Sequence, residues 1–300
     1  MRERGHRARG AVAVMTAAVL ALTGCDAFGG GGAGGKKDTG TPASRPPARP
    51  APVWDRSPDS IAAVGDSITR GFDACAVLSD CPEVSWATGS DAGVDSLAVR
   101  LLGVRGAAEH SRNYAVTGAR MSDLPRQMAG AIAGRPGLVT VMIGANDACR
   151  ASVSAMTPVA DFRADFEASL TKLRTALPRT QVYVASVPNL LRLWSQGRTN
   201  PLGKQVWKLG ICPSMLAEAD DLTGGATRRR EEVQRRVEDY NAALRAVCAK
   251  DRRCRFDGNA VFDFRFGTDQ LSRWDWFHPS RDGQARLAEI AYRTVTARRP

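Results

Sequence analysis

The stretch "IAAVGDSITRG", Ile61 to Gly71, decides how the rest of the chain is read. An apolar run, Ile61 to Val64, stops at Gly65-Asp66-Ser67, and polar, turn-prone residues follow. A short apolar run bounded by turn residues reads as a buried strand. Ser67 then sits where a strand gives way to a turn or helix, a place where free backbone amides point outward. A serine there can cap a helix. It can also be a nucleophile, provided a base takes its proton.

Working outward, Asn113–Val116, Leu138–Ile143 and Val182–Val187 repeat the apolar-run pattern, and Arg255–Val261 is a fifth strand candidate. Helical patterns lie between them, over Val94–Leu102, Leu124–Ala133, Phe162–Leu177, Glu231–Ala249 and Gly283–Val295. Phe162, Phe166, Leu170, Leu173 and Leu177 form one apolar stripe at helical spacing. Alternation of strand and helix predicts an α/β fold, a parallel sheet with helices on both faces. Pro188 to Thr227 breaks the rhythm: about forty residues with Trp194, Trp207 and a cysteine, long for a plain loop and therefore expected to shape a site. It has room for short helices. In such a sheet, ligands sit at the carboxyl ends of the strands. Ser67, Gly118 and Asn146 each fall just past a predicted strand end.

The chain has only three His. His6 lies in the basic N-terminal stretch, and His110 precedes a predicted strand, at the opposite rim. His278, in "WDWFHPS", remains as the base for Ser67. Asp275, three residues upstream, can reach the imidazole on one tight turn and stabilise the imidazolium. The same residues also suit a surface turn ahead of a helix, with Pro279 at an early helical position. An oxyanion needs donors. Gly118 offers a backbone N–H open to close approach, Asn146 a side-chain amide, and Ser67 its own N–H. A simple turn glycine at Gly118 and an Asx turn at Asn146 in "GANDA" would look alike.

The blocks "GDSITRG", "NYAVTGAR", "IGAND" and "DWFHPS", in this order and at these separations, resemble those of the GDSL/SGNH hydrolase superfamily. The resemblance covers about Ile61 to Val295. It implies a three-layer α/β/α fold with a flavodoxin-like, five-stranded parallel sheet. It implies Ser67 as nucleophile, His278 as base, Asp275 as its orienter, and Ser67, Gly118 and Asn146 as oxyanion donors, with no cofactor and no metal. Ile68 stands where the family often has Leu, a volume-conserving change.

Residues 1–24 read as a leader. Arg2, Arg4, Arg7 and Arg9 precede an apolar run, Ala11 to Leu22, too short to span a bilayer comfortably. Leu22-Thr23-Gly24-Cys25 resembles the lipobox of bacterial lipoproteins, which implies cleavage before Cys25 and lipid on its thiol. Residues 25–57 then form a lipidated linker, with "GGGGAGG" and "TPASRPPARPAP", too rich in Gly and Pro to build a core. The catalytic domain is expected over 58–300, a normal length for one α/β domain. Formal charge is +11, and loss of residues 1–24 removes four Arg and one Glu to leave +8. The Arg residues are scattered, with no basic stripe interleaved with aromatics, so nucleic acid is not an expected partner. Apart from Cys25, six cysteines remain. An even number in an exported chain suggests three disulfides, among 15 formal pairings. Cys75–Cys81 and Cys248–Cys254 can close short loops, and Cys149–Cys212 is left by elimination. That last bond would pin the 188–227 segment beside Asn146. Zinc is disfavoured, because there is no C-x-x-C and almost no His.

The expectation is therefore a monomeric, membrane-tethered serine esterase or lipase on the extracellular face, acting on an acyl ester of a lipid or an acylated glycan. Its alternatives are an O-acetyl esterase or acyltransferase acting on cell-surface glycans, and a non-catalytic binding module.

Overall fold

The structure, a computed structural model, describes residues 54–298. The expected leader, Cys25 and the linker up to residue 53 lie outside the described residues. In chain order the elements are β1 (Ile61–Gly65), α1 (Ser67–Arg70), α2 (Leu97–His110), β2 (Ser111–Asn113), α3 (Leu124–Ala133), β3 (Leu138–Met142), α4 (Ala145–Ala148) and α5 (Val159–Ala176). There follow β4 (Gln181–Val184), α6 (Leu190–Gly197), α7 (Pro201–Trp207), α8 (Pro213–Leu216), α9 (Gly224–Cys248), β5 (Cys254–Phe256), α10 (Ala260–Asp263) and α11 (Arg281–Thr296).

All strand pairs are parallel, in the order β2-β1-β3-β4-β5. Ile61 faces Ser111 on one side and Leu138 on the other. Every residue of β1, β3 and β4 is buried, as expected of a sheet covered on both faces. Helices α3, α5 and α9 pack together as one layer, and α2 packs on α11. The fold is thus the three-layer α/β/α arrangement. Because β2 and β3 lie on opposite sides of β1, the connections leave β1 in opposite directions. The crevice this creates lies at the carboxyl ends of β1 and β3.

The apolar runs mislocate two strands. β2 is Ser111–Asn113, not Asn113–Val116. It is an edge strand, and its sequence Ser-Arg-Asn has no continuous apolar run to detect. The ladder continues loosely beyond it, with the Tyr114 and Val116 amides donating to Ala63 and Gly65 carbonyls at 2.7 and 3.1 Å. β5 ends at Phe256, because the Asp257 carboxylate takes the amides of Asn259 and Val261 at 2.9 and 3.0 Å and turns the chain into α10. Two helices are longer than their apolar stripes. α2 begins at the Ser96 cap and runs to His110 through a break at Gly103. α9 starts at Gly224 because Arg230, only 2% exposed, donates to the carbonyls of Met215, Ala217, Glu218 and Asp221. The cation binds the end of the preceding segment, so a polar residue behaves as core.

The long segment from Pro188 holds α6, α7 and α8. Disulfides join Cys75 to Cys81, Cys149 to Cys212 and Cys248 to Cys254. The Cys149–Cys212 bond ties this segment to the residue after α4, across 63 positions.

Gly65 ends β1 at φ +153°, and a Cβ there would lie 2.2 Å from the Met142 carbonyl oxygen. Gln127 of α3 is buried and takes over where the ladder stops. It accepts from the Gly65 amide at 2.8 Å and donates to its carbonyl at 2.9 Å. Gly65→Ala is expected to cost about 2–4 kcal/mol, from backbone strain and the clash with β3 together. Urea unfolding of the two proteins side by side checks this.

Candidate active site

At the end of β1, Asp66 caps α1: its Oδ1 accepts from the Ile68 amide at 3.0 Å. Ser67 is therefore not the cap. It is the first helical residue, and its hydroxyl is free for another partner. That partner is His278, whose Nε2 lies 2.8 Å from Ser67 Oγ across 211 positions. On the other side of the ring, Nδ1 bonds to Asp275 Oδ2. Ser67 and Asp275 are buried, with 6% and 1% of their surface exposed. His110 ends α2 with its side chain 58% exposed, beside Glu109.

The loop carrying Asp275 and His278 is held from several sides. Leu271 bridges Pro279, the Ser272 amide donates to the His278 carbonyl at 2.7 Å, and the Trp276 amide to the Ser272 carbonyl at 2.8 Å. Trp276 takes φ +55°, a left-handed turn that is uncommon for a bulky residue. This tight turn lets Asp275 Oδ1 accept from the amides of both Phe277 and His278, at 2.9 Å each. Trp207 of α7 is 3% exposed and donates its indole N–H to the Asp275 carbonyl at 2.8 Å. Gln284 of α11 donates to the Ile68 carbonyl and accepts from the Trp86 amide, at 2.9 Å each, so the helix that follows His278 is bonded to the helix of Ser67. Phe72 and Phe277 pack against the imidazole at 5.0 and 5.2 Å between ring centroids.

Gly118 lies in the loop after β2, exposed and at φ +82°. Asn146 lies in α4, and its Nδ2 donates to the Ala119 carbonyl at 3.0 Å. One bond thus joins the α4 side chain to the residue next to Gly118. Among the described residues the amides of Ser67 and Gly118 have no acceptor. The second hydrogen on Asn146 Nδ2 is also uncommitted.

Charge in the site is concentrated in one pair. Burial alone would raise the Asp275 pKa, but the charge and hydrogen bonds of His278 hold it below the ordinary carboxylate value. Burial would lower that of His278, and Asp275 outweighs it, so the imidazole lies above the ordinary 6.5. Two further carboxyls run the other way. Asp66 is pushed up to about 7 and Asp147 to about 6, in both cases mainly by burial. Each keeps one oxygen without a partner, Asp66 Oδ2 and Asp147 Oδ1.

Two clusters of potential metal ligands occur among the described residues. In one, Cys75 and Cys81 with Glu83, the sulfurs are already bonded to each other. In the other, Asp73, Asp275 and His278, both imidazole nitrogens are committed to Asp275 and Ser67.

The GDSL-like lipase/acylhydrolase family matches residues 61–291. The chain belongs to this family. No protein of curated function matches it. Among solved structures it is similar to a mutant of an acetylxylan esterase from Geobacillus stearothermophilus, at 17% identity and TM-score 0.48, over 79% of this chain and 94% of that one. It is also similar to phospholipase A1 from Streptomyces albidoflavus, at 18% identity and TM-score 0.45, over 80% of this chain and all of that one. A salicylyl-acyltransferase from a tetracycline biosynthetic pathway gives 19% identity and TM-score 0.48, over 79% of this chain and 54% of that one. For a GDSL-like chain the four blocks are the legible part. Asp66, Asp73, Phe72 and Gln284 were not singled out from the sequence. None stands in a periodic pattern that points to a site, and a buried carboxyl looks like any other Asp in sequence. In the segment expected to shape a site, Trp207 is buried against the Asp275 loop, and the Arg230 and Arg198 guanidiniums lie over the Trp194 ring at 4.2 and 5.0 Å.

If His278 must be neutral to accept a proton, activity falls as pH falls through its raised pKa. The acid limb of kcat/KM on p-nitrophenyl acetate is expected to centre above 6.5. In Asp275→Asn the anion that holds the imidazolium is gone, so the limb moves to lower pH and the plateau drops about a hundredfold or more. A pH–rate profile of both proteins tests the sign of the shift.

Proposed function

We propose that the protein is a serine esterase of the lipase/acylhydrolase type. His278 Nε2 takes the proton of Ser67 Oγ as the oxygen attacks the acyl carbon. The developing oxyanion is met by the amides of Ser67 and Gly118 and by Asn146 Nδ2. His278 then gives the proton to the leaving alcohol, which departs and leaves an acyl-Ser67 ester. Water, deprotonated by His278, attacks this ester, and the proton returns to Ser67 as the acid leaves. Asp275 holds the ring and stabilises the imidazolium throughout. No step requires a cofactor.

The observation that carries this reading is the 2.8 Å contact between Ser67 Oγ and His278 Nε2, with Asp275 bonded to the far nitrogen. A non-catalytic binding module has no need of a base on its serine. The substrate is an acyl ester, of a lipid or of an acylated glycan. Export and tethering at the outer face of the membrane through Cys25 rest on the leader pattern of residues 1–25 and on the presence of three disulfides.

A fluorophosphonate is expected to label wild-type protein once, at Ser67, as located by peptide mass spectrometry. Ser67→Ala and His278→Ala are expected to lose labelling and several orders of magnitude in kcat on short p-nitrophenyl esters. Asn146→Ala is expected to keep labelling and lose about a hundredfold in kcat. Ester hydrolysis that survives Ser67→Ala refutes the mechanism.

A further inference from the structure

The loop after α1 carries a carboxyl that the chemistry above does not use. Asp73 is 2% exposed and sits at φ +56°, a conformation few non-glycine residues adopt. Its loop is closed by the Cys75–Cys81 bond and by the Asp73 amide, which donates to the Ser79 carbonyl at 3.0 Å. The Leu78 amide donates to Asp73 Oδ1. From the far end of the chain, Ser272 Oγ donates to the Asp73 carbonyl at 2.7 Å and joins this loop to that of Asp275. One carboxylate oxygen of Asp73, one of Asp275 and a nitrogen of His278 lie within 4.8 Å of one another.

Two buried carboxylates this close do not readily ionise together. Asp275 faces the imidazole and accepts from two amides. Asp73 has the Leu78 amide and, among the described residues, no ion pair. A cavity of about 780 Å³ beside it is also lined by Asp269, Arg273, Arg281 and Asp282. Arg281 is bonded to Asp91, Arg273 lies over the Trp274 ring, and Asp282 accepts from Gln270. Asp73 is thus the member of the pair that takes up a proton first as pH falls. Burial, then the neighbouring Asp275, push it up to about 6. Facing His278 are Asp275, Asp66 and Asp73.

We propose that Asp73 is a positioning residue for the ester hydrolysis, holding the Asp275 carboxylate through a hydrogen bond when protonated and adding a second negative charge beside His278 when ionised. The proposal rests on the Ser67–His278–Asp275 reading of the site. The Asp73 anion favours the imidazolium that forms as Ser67 attacks. The disulfide loop thereby bears on the base through one side chain.

The test uses the full chain, ¹⁵N-labelled, as wild type, Asp73→Asn and Asp73→Ala. The His278 imidazole is titrated by NMR, and kcat/KM on p-nitrophenyl acetate is followed against pH. Asp73→Asn keeps a donor for Asp275 but removes the charge. The His278 midpoint and the acid limb are expected to fall together by about one pH unit, with the high-pH rate within about tenfold of wild type. Asp73→Ala is expected to show the same shift and to lose about tenfold more rate, because the hydrogen bond to Asp275 is gone. An unmoved His278 midpoint in Asp73→Asn overturns the proposal, and so does an equal high-pH rate in the two variants. If Asp73→Ala does not fold, the Asp73→Asn midpoint decides alone. If wild type neither hydrolyses ester nor takes the phosphonate at Ser67, the esterase reading fails, while the NMR midpoint still judges Asp73.

Discussion

The hydrogen bond between Ser67 and His278 closes a loop of 211 residues, and much of the architecture can be read as what keeps those two atoms in register. β1 must end close against β3, which Gly65 permits by having no side chain to meet the Met142 carbonyl. Gln127 then satisfies the backbone groups that the ladder leaves open. At the other end, Gln284 fastens α11 to α1, and Trp207 and Ser272 fix the loop between α10 and α11. These anchors come from opposite layers of the sheet and meet at the crevice where the strand order reverses.

Burial shapes the chemistry as much as position does. Three buried carboxyls, Asp66, Asp73 and Asp275, face one imidazole, with Asp147 near Asp66, and of the four only Asp275 falls below its ordinary pKa. The difference is partnership. Asp275 has the His278 imidazole to face and two amides to accept from, while each of the others has, among the described residues, no ion pair and is raised mainly by desolvation. The result is one carboxylate held in its ionised form near three acids that take up their protons at higher pH. Surface pairs such as Arg105–Glu109 and Arg126–Asp123 lie in solvent and contribute little.

The segment from Pro188 to Thr227 shows how an aromatic residue can change role on folding. Trp207 spends its ring in the core and its N–H on the Asp275 carbonyl, so α7 acts as a brace for the acid-bearing loop. Arg230 does the equivalent for α8 and the turn after it, with its guanidinium satisfied by backbone carbonyls rather than by a carboxylate. A buried cation bonded only to carbonyls is tolerated because each of its three nitrogens finds an acceptor.

Alternation of apolar runs and helical stripes is local, so α3, α5, β1, β3 and β4 could be placed from sequence to within a few residues, and with them the class of fold. The order and spacing of the Ser67, Gly118, Asn146 and His278 blocks are also properties of the linear chain, and they were enough to single these residues out as candidates. Three things were decided only by tertiary structure. The edge strand β2 has no apolar signature, because one side of it has no neighbour. Arg230 reads as solvent-facing until the carbonyls it binds are brought to it. Asp73 becomes special only when Ser272 and Asp275, some two hundred residues away, fold against it, because the cost of ionising a carboxyl depends on what surrounds it and not on which residues flank it in sequence.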